Sequence, residues 1–120
     1  MPGKIVVLVV EDEPLIRMEI VDQLLDDGYG VFEAANADQA VLLLEANPSI
    51  RILFTDVDMP GGMDGLKLAA AVRDRWPPVR IVVTSGHRTV DIADLPDGSV
   101  FHSKPYQHKA IVESFRTLLS

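Results

Sequence analysis

Short apolar runs rich in β-branched residues alternate with amphipathic stretches along the whole chain. Residues 5–10 (Ile-Val-Val-Leu-Val-Val) show no polar alternation, the pattern of a strand covered on both faces. Pro14 then suits the first turn of a helix, where its missing N–H leaves nothing unpaired. Ile16, Ile20 and Leu24, with Val21 and Leu25, form an apolar stripe that Gly28 ends. Residues 31–35 read as a second strand. Asn36 with Gln39 three positions on has the spacing of a capping box, and the helix behind it carries Ala40, Val41, Leu43 and Leu44 before Pro48. Residues 51–55 read as a third strand. Met59-Pro60-Gly61-Gly62 is a loop, and Asp64-Gly65 opens a helix with Leu68, Val72 and Trp76 on its inner face, closed by Pro77-Pro78. Residues 79–83 and 99–103 read as strands four and five. Between them, residues 88–95 leave room for only one or two helical turns before Pro96. The last helix places Ile111, Val112, Phe115, Leu118 and Leu119 on one face. Strands alternating with helices in this way imply a parallel α/β sheet covered on both sides, with right-handed crossovers.

The 120 residues fit one domain covering 1–120. Folding at this size buries about two-thirds of the unfolded surface, enough for a core. A hydrophobic content of 48% sets the chain apart from disordered sequences. With no cysteine there is neither a disulfide framework nor a thiolate site. The run at 5–10 is far short of the roughly 18 residues that span a bilayer, and Glu11-Asp12-Glu13 follows it directly, unlike a signal peptide. The expected location is the cytoplasm, with no membrane partner. Net charge is −7 and the basic residues are scattered, a poor match to nucleic acid, which rewards clustered Lys and Arg. The acidic residues do gather, at 11–13 and at 56, 58 and 64.

The chemistry lies where the apolar runs end. Glu11-Asp12 follows the first, Asp56 the third, Thr84 the fourth, and Lys104 comes shortly after the fifth. In an open parallel sheet the carboxyl ends of the strands share one rim, where ligands bind. Carboxylates, a hydroxyl and an ammonium from distant parts of the chain therefore meet at one edge, the set that a metal-assisted phosphoryl acceptor needs. Taken singly, each residue also fits a plainer role. Asp12 or Glu13 could cap the first helix, and one of them is expected to do so. Thr84 could be an ordinary strand-end threonine, Lys104 a solvated turn residue, and Phe101 a core aromatic. His87, His102 and His108 read as surface or structural residues.

Together these segments resemble the receiver domain of bacterial response regulators, the phospho-accepting half of two-component signalling. The resemblance covers essentially the whole chain. It rests on Val9-Val10-Glu11-Asp12-Glu13, on Thr55-Asp56-Val57-Asp58-Met59-Pro60 leading into Asp64-Gly65, on Val83-Thr84-Ser85-Gly86, and on Lys104-Pro105-Tyr106. It implies a flavodoxin-like, doubly wound five-stranded parallel sheet of order 2-1-3-4-5 in a single domain with a short fourth helix. It places Asp56 as the phosphorylated aspartate. Asp12 would be the direct metal ligand, Glu11 the second acid that holds the metal through water, and the backbone carbonyl of Asp58 a further ligand. Thr84 would bond the phosphoryl group, Lys104 pair with it, and Phe101 swing inward on activation. Two carboxylates about 4 Å apart repel by roughly 4 kcal/mol at an effective dielectric of 20, so a hard cation is needed, and Mg²⁺ suits oxygen ligands of this kind. Backbone N–H groups near Val57 and Ser85 could complete an anion cradle.

The implied protein is a phosphoacceptor rather than an enzyme, with at most self-catalysed phosphotransfer and dephosphorylation. Its partners would be a histidine kinase or phosphotransfer protein and an unidentified downstream protein; alternatively it drains phosphate from a shared kinase. A monomer or weak dimer is expected, in a stand-alone receiver or one trimmed from a larger regulator. Two readings compete. A haloacid-dehalogenase-like phosphatase would use Asp56 and Asp58 as nucleophile and acid/base, and a receiver-like interaction module would work without phosphate. The family usually has one residue between Met-Pro and Met-Asp-Gly; here Gly61 and Gly62 stand there. The short stretch at 88–95 falls where the family carries part of its partner-binding face.

Overall fold

A computed structural model describes residues 4–59, 63–86 and 92–119. The strands are β1 (Val6–Val10), β2 (Gly30–Ala34), β3 (Ile50–Asp56), β4 (Arg80–Ser85) and β5 (Val100–Ser103), and the helices are α1 (Pro14–Asp26), α2 (Ala37–Ala46), α3 (Gly65–Arg75) and α4 (His108–Leu119). All strand pairs are parallel and the order is β2-β1-β3-β4-β5. This is the flavodoxin-like sheet the resemblance implies, folded as one domain.

Alternation along each strand sorts the apolar residues into two cores. Val7, Val9, Ile52, Phe54 and Val82 pack against Ile20 and Leu24 of α1 and Ile111 and Phe115 of α4. Leu8, Val10, Leu53, Ile81 and Val83 pack against Ala40 and Leu44 of α2 and Leu68 and Val72 of α3. The strands read as unbroken apolar runs because both faces are covered. The α1–α4 layer includes edge-on ring contacts of Phe115 with Tyr29 and Phe54, centroids 5.6 and 5.9 Å apart. Phe115 is fully buried, a burial that contributes about 1.5–3 kcal/mol.

The helix starts follow the sequence only in part. Asn36 caps α2, its Oδ1 accepting the Gln39 N–H at 2.9 Å. Gln39 Oε1 reaches back to the Ala35 N–H at 2.8 Å, one residue earlier than a standard capping box. Asp64 caps α3 by accepting the Lys67 N–H. Helix α1 departs from expectation. Glu13 holds the cap position without a side-chain cap bond, and it is the Glu11 carboxylate that accepts the Glu13 N–H, at 3.2 Å. Apolar periodicity over-assigned two positions of α1, since Ile16 and Leu25 are exposed while Ile20, Val21 and Leu24 are buried.

Within the stretch expected to hold a stunted helix, the described part forms a single 3₁₀ turn at Ile92–Asp94. Leu95 behind it is buried against the α2–α3 core. Residues 88–91, His87 and the Gly61-Gly62 insertion lie outside the described residues.

Candidate functional site

Strand register builds the site. Val10 pairs with Thr55, Asp56 with Thr84, and Thr84 with His102. Glu11 and Asp56, each one residue further, thus stand in one row with Thr84. Alternation turns that row toward the face that carries Val9, Phe54 and Val82, the α1–α4 side. Glu11, Asp56 and Thr84 are buried, at 4%, 6% and 3% exposure; for two carboxylates this demands compensation.

Lys104 supplies it. Its Nζ stands 3.2 Å from Asp56 Oδ2 and 3.4 Å from Glu11 Oε1. The loop that carries it is tied back by the Lys104 N–H, which donates to the Ser85 carbonyl at 2.9 Å. Asp12 is exposed at the mouth. Carboxylate oxygens of Glu11, Asp12 and Asp56 lie within 4.8 Å of one another, so the three could hold a metal ion. Asp56 Oδ1 is buried with no hydrogen-bond partner, a position that asks for a cation or a donor from outside the chain.

The protonation balance follows from burial. Asp56 is pushed up from the usual carboxylate range, because desolvation outweighs the help of the Lys104 ammonium and of the Asp58 N–H that bonds its carboxylate. Glu11 is pushed up too, first by desolvation and then by the Asp56 charge, against the Glu13 N–H and Lys104. Burial alone would lower Lys104, but the Asp56 and Glu11 charges outweigh it and raise its ammonium pKa. Tyr106, packed edge-on to Phe54 at 6.0 Å, is pushed up to about 12 by burial and is a neutral wall.

The turn after Asp56 is shaped by a glycine that sequence motif alone does not explain. A Cβ on Gly65 would lie 2.2 Å from the Asp56 carbonyl oxygen and 2.7 Å from Val57 Cα. Helix α3 therefore begins pressed against the backbone of the acceptor strand, and only glycine fits. Its N–H donates to the Val57 carbonyl at 3.0 Å.

The structure thus gathers Glu11, Asp12, Asp56, Thr84 and Lys104 at one rim. Asp58 is half-buried beside them, and Ser85 Oγ donates to its Oδ2 at 2.9 Å. Phe101 stands apart: it pairs with Val83 and packs on the opposite, α2–α3 core. Of the backbone N–H groups expected near Val57, that of Val57 itself donates to the Thr84 carbonyl at 2.8 Å, continuing the β3–β4 ladder, while that of Asp58 bonds the Asp56 carboxylate. Sequence reading missed one contributor and one contact. Arg17, one of the scattered basic residues, donates from Nη1 to the Glu11 carbonyl at 2.7 Å; its place one turn into α1 after the acid pair was the available signal. Ser85 was named for its backbone N–H, but the bond from its hydroxyl to Asp58 was not foreseen. Of the histidines, His102 bonds Ser114 at 2.7 Å and His108 bonds Asp27 at 2.6 Å, structural ties as expected.

Comparison with known proteins agrees with this geometry. The family profile of the response regulator receiver domain matches residues 7–116. The positive alginate biosynthesis regulatory protein of Pseudomonas aeruginosa is 40% identical over 117 residues, 92% of this chain and 45% of that protein. The sensor kinase CckA of Brucella abortus is 33% identical over 121 residues, 98% of this chain and 13% of that protein. An NtrX-like response regulator of Rickettsia felis is 34% identical over 72% of this chain, which spans 18% of that protein's length. The chain thus matches only part of each of these relatives. A response regulator receiver protein from Sinorhizobium medicae superposes with a TM-score of 0.88 at 25% identity, covering 97% of this chain and 94% of that one. The receiver domain of the hybrid histidine kinase CckA gives 0.78 at 31% identity, covering 96% and 99%. Receiver domains are signalling modules rather than enzymes in the ordinary sense, and the dehalogenase-like alternative finds no support among these matches. Sequence, sheet order and rim chemistry converge: the chain belongs to the response regulator receiver domain family.

Proposed function

We propose that Asp56 takes a phosphoryl group from the phosphohistidine of a histidine kinase or phosphotransfer protein. The observation that carries this is the buried Asp56 carboxylate, paired with Lys104 on Oδ2 and unpartnered on Oδ1. In the step, a carboxylate oxygen of Asp56 forms a bond to phosphorus as the bond from phosphorus to the imidazole nitrogen breaks. The donor ring, protonated on its other nitrogen, keeps the electron pair of the broken bond, so that an acyl phosphate and a neutral histidine remain.

Positioning and charge do most of the work in such a transfer. Lys104 neutralises part of the charge on Asp56 and can follow it to a phosphoryl oxygen, while Thr84 offers a hydroxyl from the adjacent strand position. Glu11, Asp12, Asp56 and the Asp58 carbonyl would hold Mg²⁺, which when bound screens the repulsion between the carboxylate and the incoming phosphoryl oxygens. The donor set fits that ion: three carboxylates within 4.8 Å of one another, one with an unpartnered buried oxygen.

The surface beside the rim suits a protein donor. A groove of about 560 Å³ runs between α1 and the 104–108 loop, lined by Ile16, Ile20, Gln23, Lys104 and Tyr106. Leu15 and Met18 stand exposed next to it on α1. Such an apolar strip ending at Lys104 would seat a donor helix with its histidine at Asp56. Phosphorylation would then draw Thr84 toward the phosphoryl group and shift Phe101, two surface states whose populations are set by differential contacts. The output is binding to or release from a downstream protein, with the chain acting in the cytoplasm as a receiver unit.

Incubation with acetyl phosphate and Mg²⁺, read by intact mass, tests the reading. One phosphoryl adduct per chain, hydroxylamine-labile and absent in Asp56→Asn, is expected. No adduct in the unmodified chain, or an equal one in Asp56→Asn, overturns it.

A further inference from the structure

We propose that Arg17 is a positioning residue for the acid pair at the metal site, with Glu33 holding it in place; the inference rests on the metal-dependent reading above. Glu11 is the point where β1 ends and the acidic turn begins. Its N–H donates to the Ala34 carbonyl of β2 at 3.0 Å. Its carbonyl accepts from Arg17 Nη1 at 2.7 Å. The same guanidinium donates from Nε to Glu33 Oε1 on β2 at 3.0 Å. Arg17 is itself fixed in the first turn of α1, its N–H donating to the Glu13 carbonyl at 2.9 Å.

One side chain therefore ties α1, the end of β1 and the neighbouring strand to a single carbonyl. That carbonyl belongs to the peptide that joins Glu11 to Asp12. A peptide unit is planar, so fixing the Glu11 C=O fixes the direction in which the chain leaves toward Asp12. Asp12 is exposed, with only the neighbouring Glu11 carboxyl, among the described residues, as a side-chain contact for its own carboxyl, so its direction depends on the backbone and on where Glu11 is held. The Arg17 side chain is only 19% exposed, so its charge-assisted bonds are partly shielded from water. The rigid fork makes two divergent bonds at once, which a lysine ammonium on a flexible stem does not reproduce.

Outer partners of metal ligands typically change affinity by 10–100-fold when removed, and a bond to the backbone of the ligand turn belongs at the low end. The test is titration of unphosphorylated protein with Mg²⁺, followed by the amide shifts of Asp56 and Val57. Arg17→Met should weaken Mg²⁺ binding by about tenfold. Arg17→Lys should recover part of that loss, and Glu33→Gln should weaken binding by less than Arg17→Met. Val112→Ala, in the α1–α4 core, serves as a variant that loses stability alone and should bind Mg²⁺ as the unmodified chain does. Absence of saturable Mg²⁺ binding in the unmodified chain would overturn the metal reading itself. Normal binding there with equal affinity in Arg17→Met, or an equal loss in Val112→Ala, would overturn the role of Arg17. If Arg17→Met does not fold, Arg17→Lys and Glu33→Gln decide, and unchanged affinity in both would refute the proposal.

Discussion

In EDTA at pH 7, Asp56→Asn is expected to raise the stability of the chain, although it removes the group on which the proposed chemistry depends. Three effects compete. Losing the Asp56 charge removes its attraction to Lys104 at 3.2 Å, about 5 kcal/mol at an effective dielectric of 20. It also removes repulsion from Glu11, with oxygens within 4.8 Å, about 3.5 kcal/mol on the same scale. Asp12 adds a repulsion reduced by its exposure to about 1 kcal/mol at the dielectric of water. These Coulomb contributions cancel to within about 1 kcal/mol. Desolvation decides the sign: a carboxylate buried to 6% exposure carries a penalty of several kcal/mol that a neutral amide largely avoids. The side-chain carbonyl of the substituted residue can still accept from Lys104 and from the Asp58 N–H, and its amide N–H₂ supplies donors on the acidic side. A net gain of about 1–3 kcal/mol follows, or about 4–10 °C in Tm for a chain of this size.

The pH dependence supplies a second, stricter check. Asp56 and Glu11 have pKa values raised in the fold, so the native state holds their protons more tightly than the unfolded chain. The associated stability is fully present below the unfolded carboxylate value, about pH 4, and is lost as pH rises through the raised folded values. The advantage of Asp56→Asn should accordingly be larger at pH 7 and shrink toward nothing as pH falls to about 4. Melting followed by circular dichroism in EDTA across this range tests both statements. A Tm equal to or below that of the unmodified chain at pH 7, or a gain that does not change with pH, would refute the reasoning.

Other perturbations separate the remaining contributions. Lys104→Met leaves two buried carboxylates without their ammonium and should cost about 3–5 kcal/mol without metal at pH 7, recovered as the pH is lowered; melting curves that do not respond to pH would count against the shared ion pair. Gly65→Ala must push a methyl group into backbone 2.2 Å away, so a loss above about 2 kcal/mol, the scale of severe strain, is expected in urea unfolding. Gly86→Ala is the milder case, since its Cβ would lie 3.3 Å from Lys104 Cβ and 3.4 Å from Lys104 Cδ, which asks a shift of a few tenths of an ångström; a loss of about 1 kcal/mol, below that of Gly65→Ala, is expected. Asn36→Ala removes the bond to the Gln39 N–H and should cost about 1 kcal/mol, with an unchanged midpoint ruling out a working cap.

What could be read from the sequence is what depends on residue type along one element. The unbroken run at 5–10 forms a strand over Val6–Val10 that is buried from Val7 on because both sheet faces are covered, while Ile5 falls outside it and is exposed; the polar residue ending each run fell on the rim because parallel strands end together. Within an element the reading weakened where neighbours decide. Ile16 and Leu25 fit the apolar period of α1 yet are exposed, while Ile20, Val21 and Leu24 of the same stripe are buried. The expected side-chain cap of α1 is also missing. Glu13 holds the cap position with no side-chain cap bond, and its own N–H goes to the carboxylate of Glu11, just past the end of β1, a contact that no capping spacing encodes. Which N–H near Val57 faces the site was likewise not legible: the pairing of Asp56 with Thr84 continues for one more bond and consumes that of Val57, and it is the Asp58 N–H that bonds the Asp56 carboxylate.

Arg17 shows the same division at the site itself. Its charge was visible in the sequence, but its use was not, because its two acceptors come from different parts of the sheet: the Glu11 carbonyl just past the end of β1 and the Glu33 carboxylate on β2. The rim residues have to be chemically fixed and so can be recognised one at a time. The groups that aim them need only reach, and reach is a property of the assembled layers. A search confined to motif positions therefore finds the acceptor and its acids while passing over what orients them. In this chain that orientation passes through backbone carbonyls: Glu11 held by Arg17, Ser85 held by the Lys104 N–H, and Thr84 held by the Val57 N–H. Each site strand is thus fastened at the residue that carries the chemistry or at the one beside it. Under the proposed phosphorylation, Lys104 is the residue in this set whose side chain would turn from Asp56 toward a phosphoryl oxygen, while its own N–H stays tied to the Ser85 carbonyl.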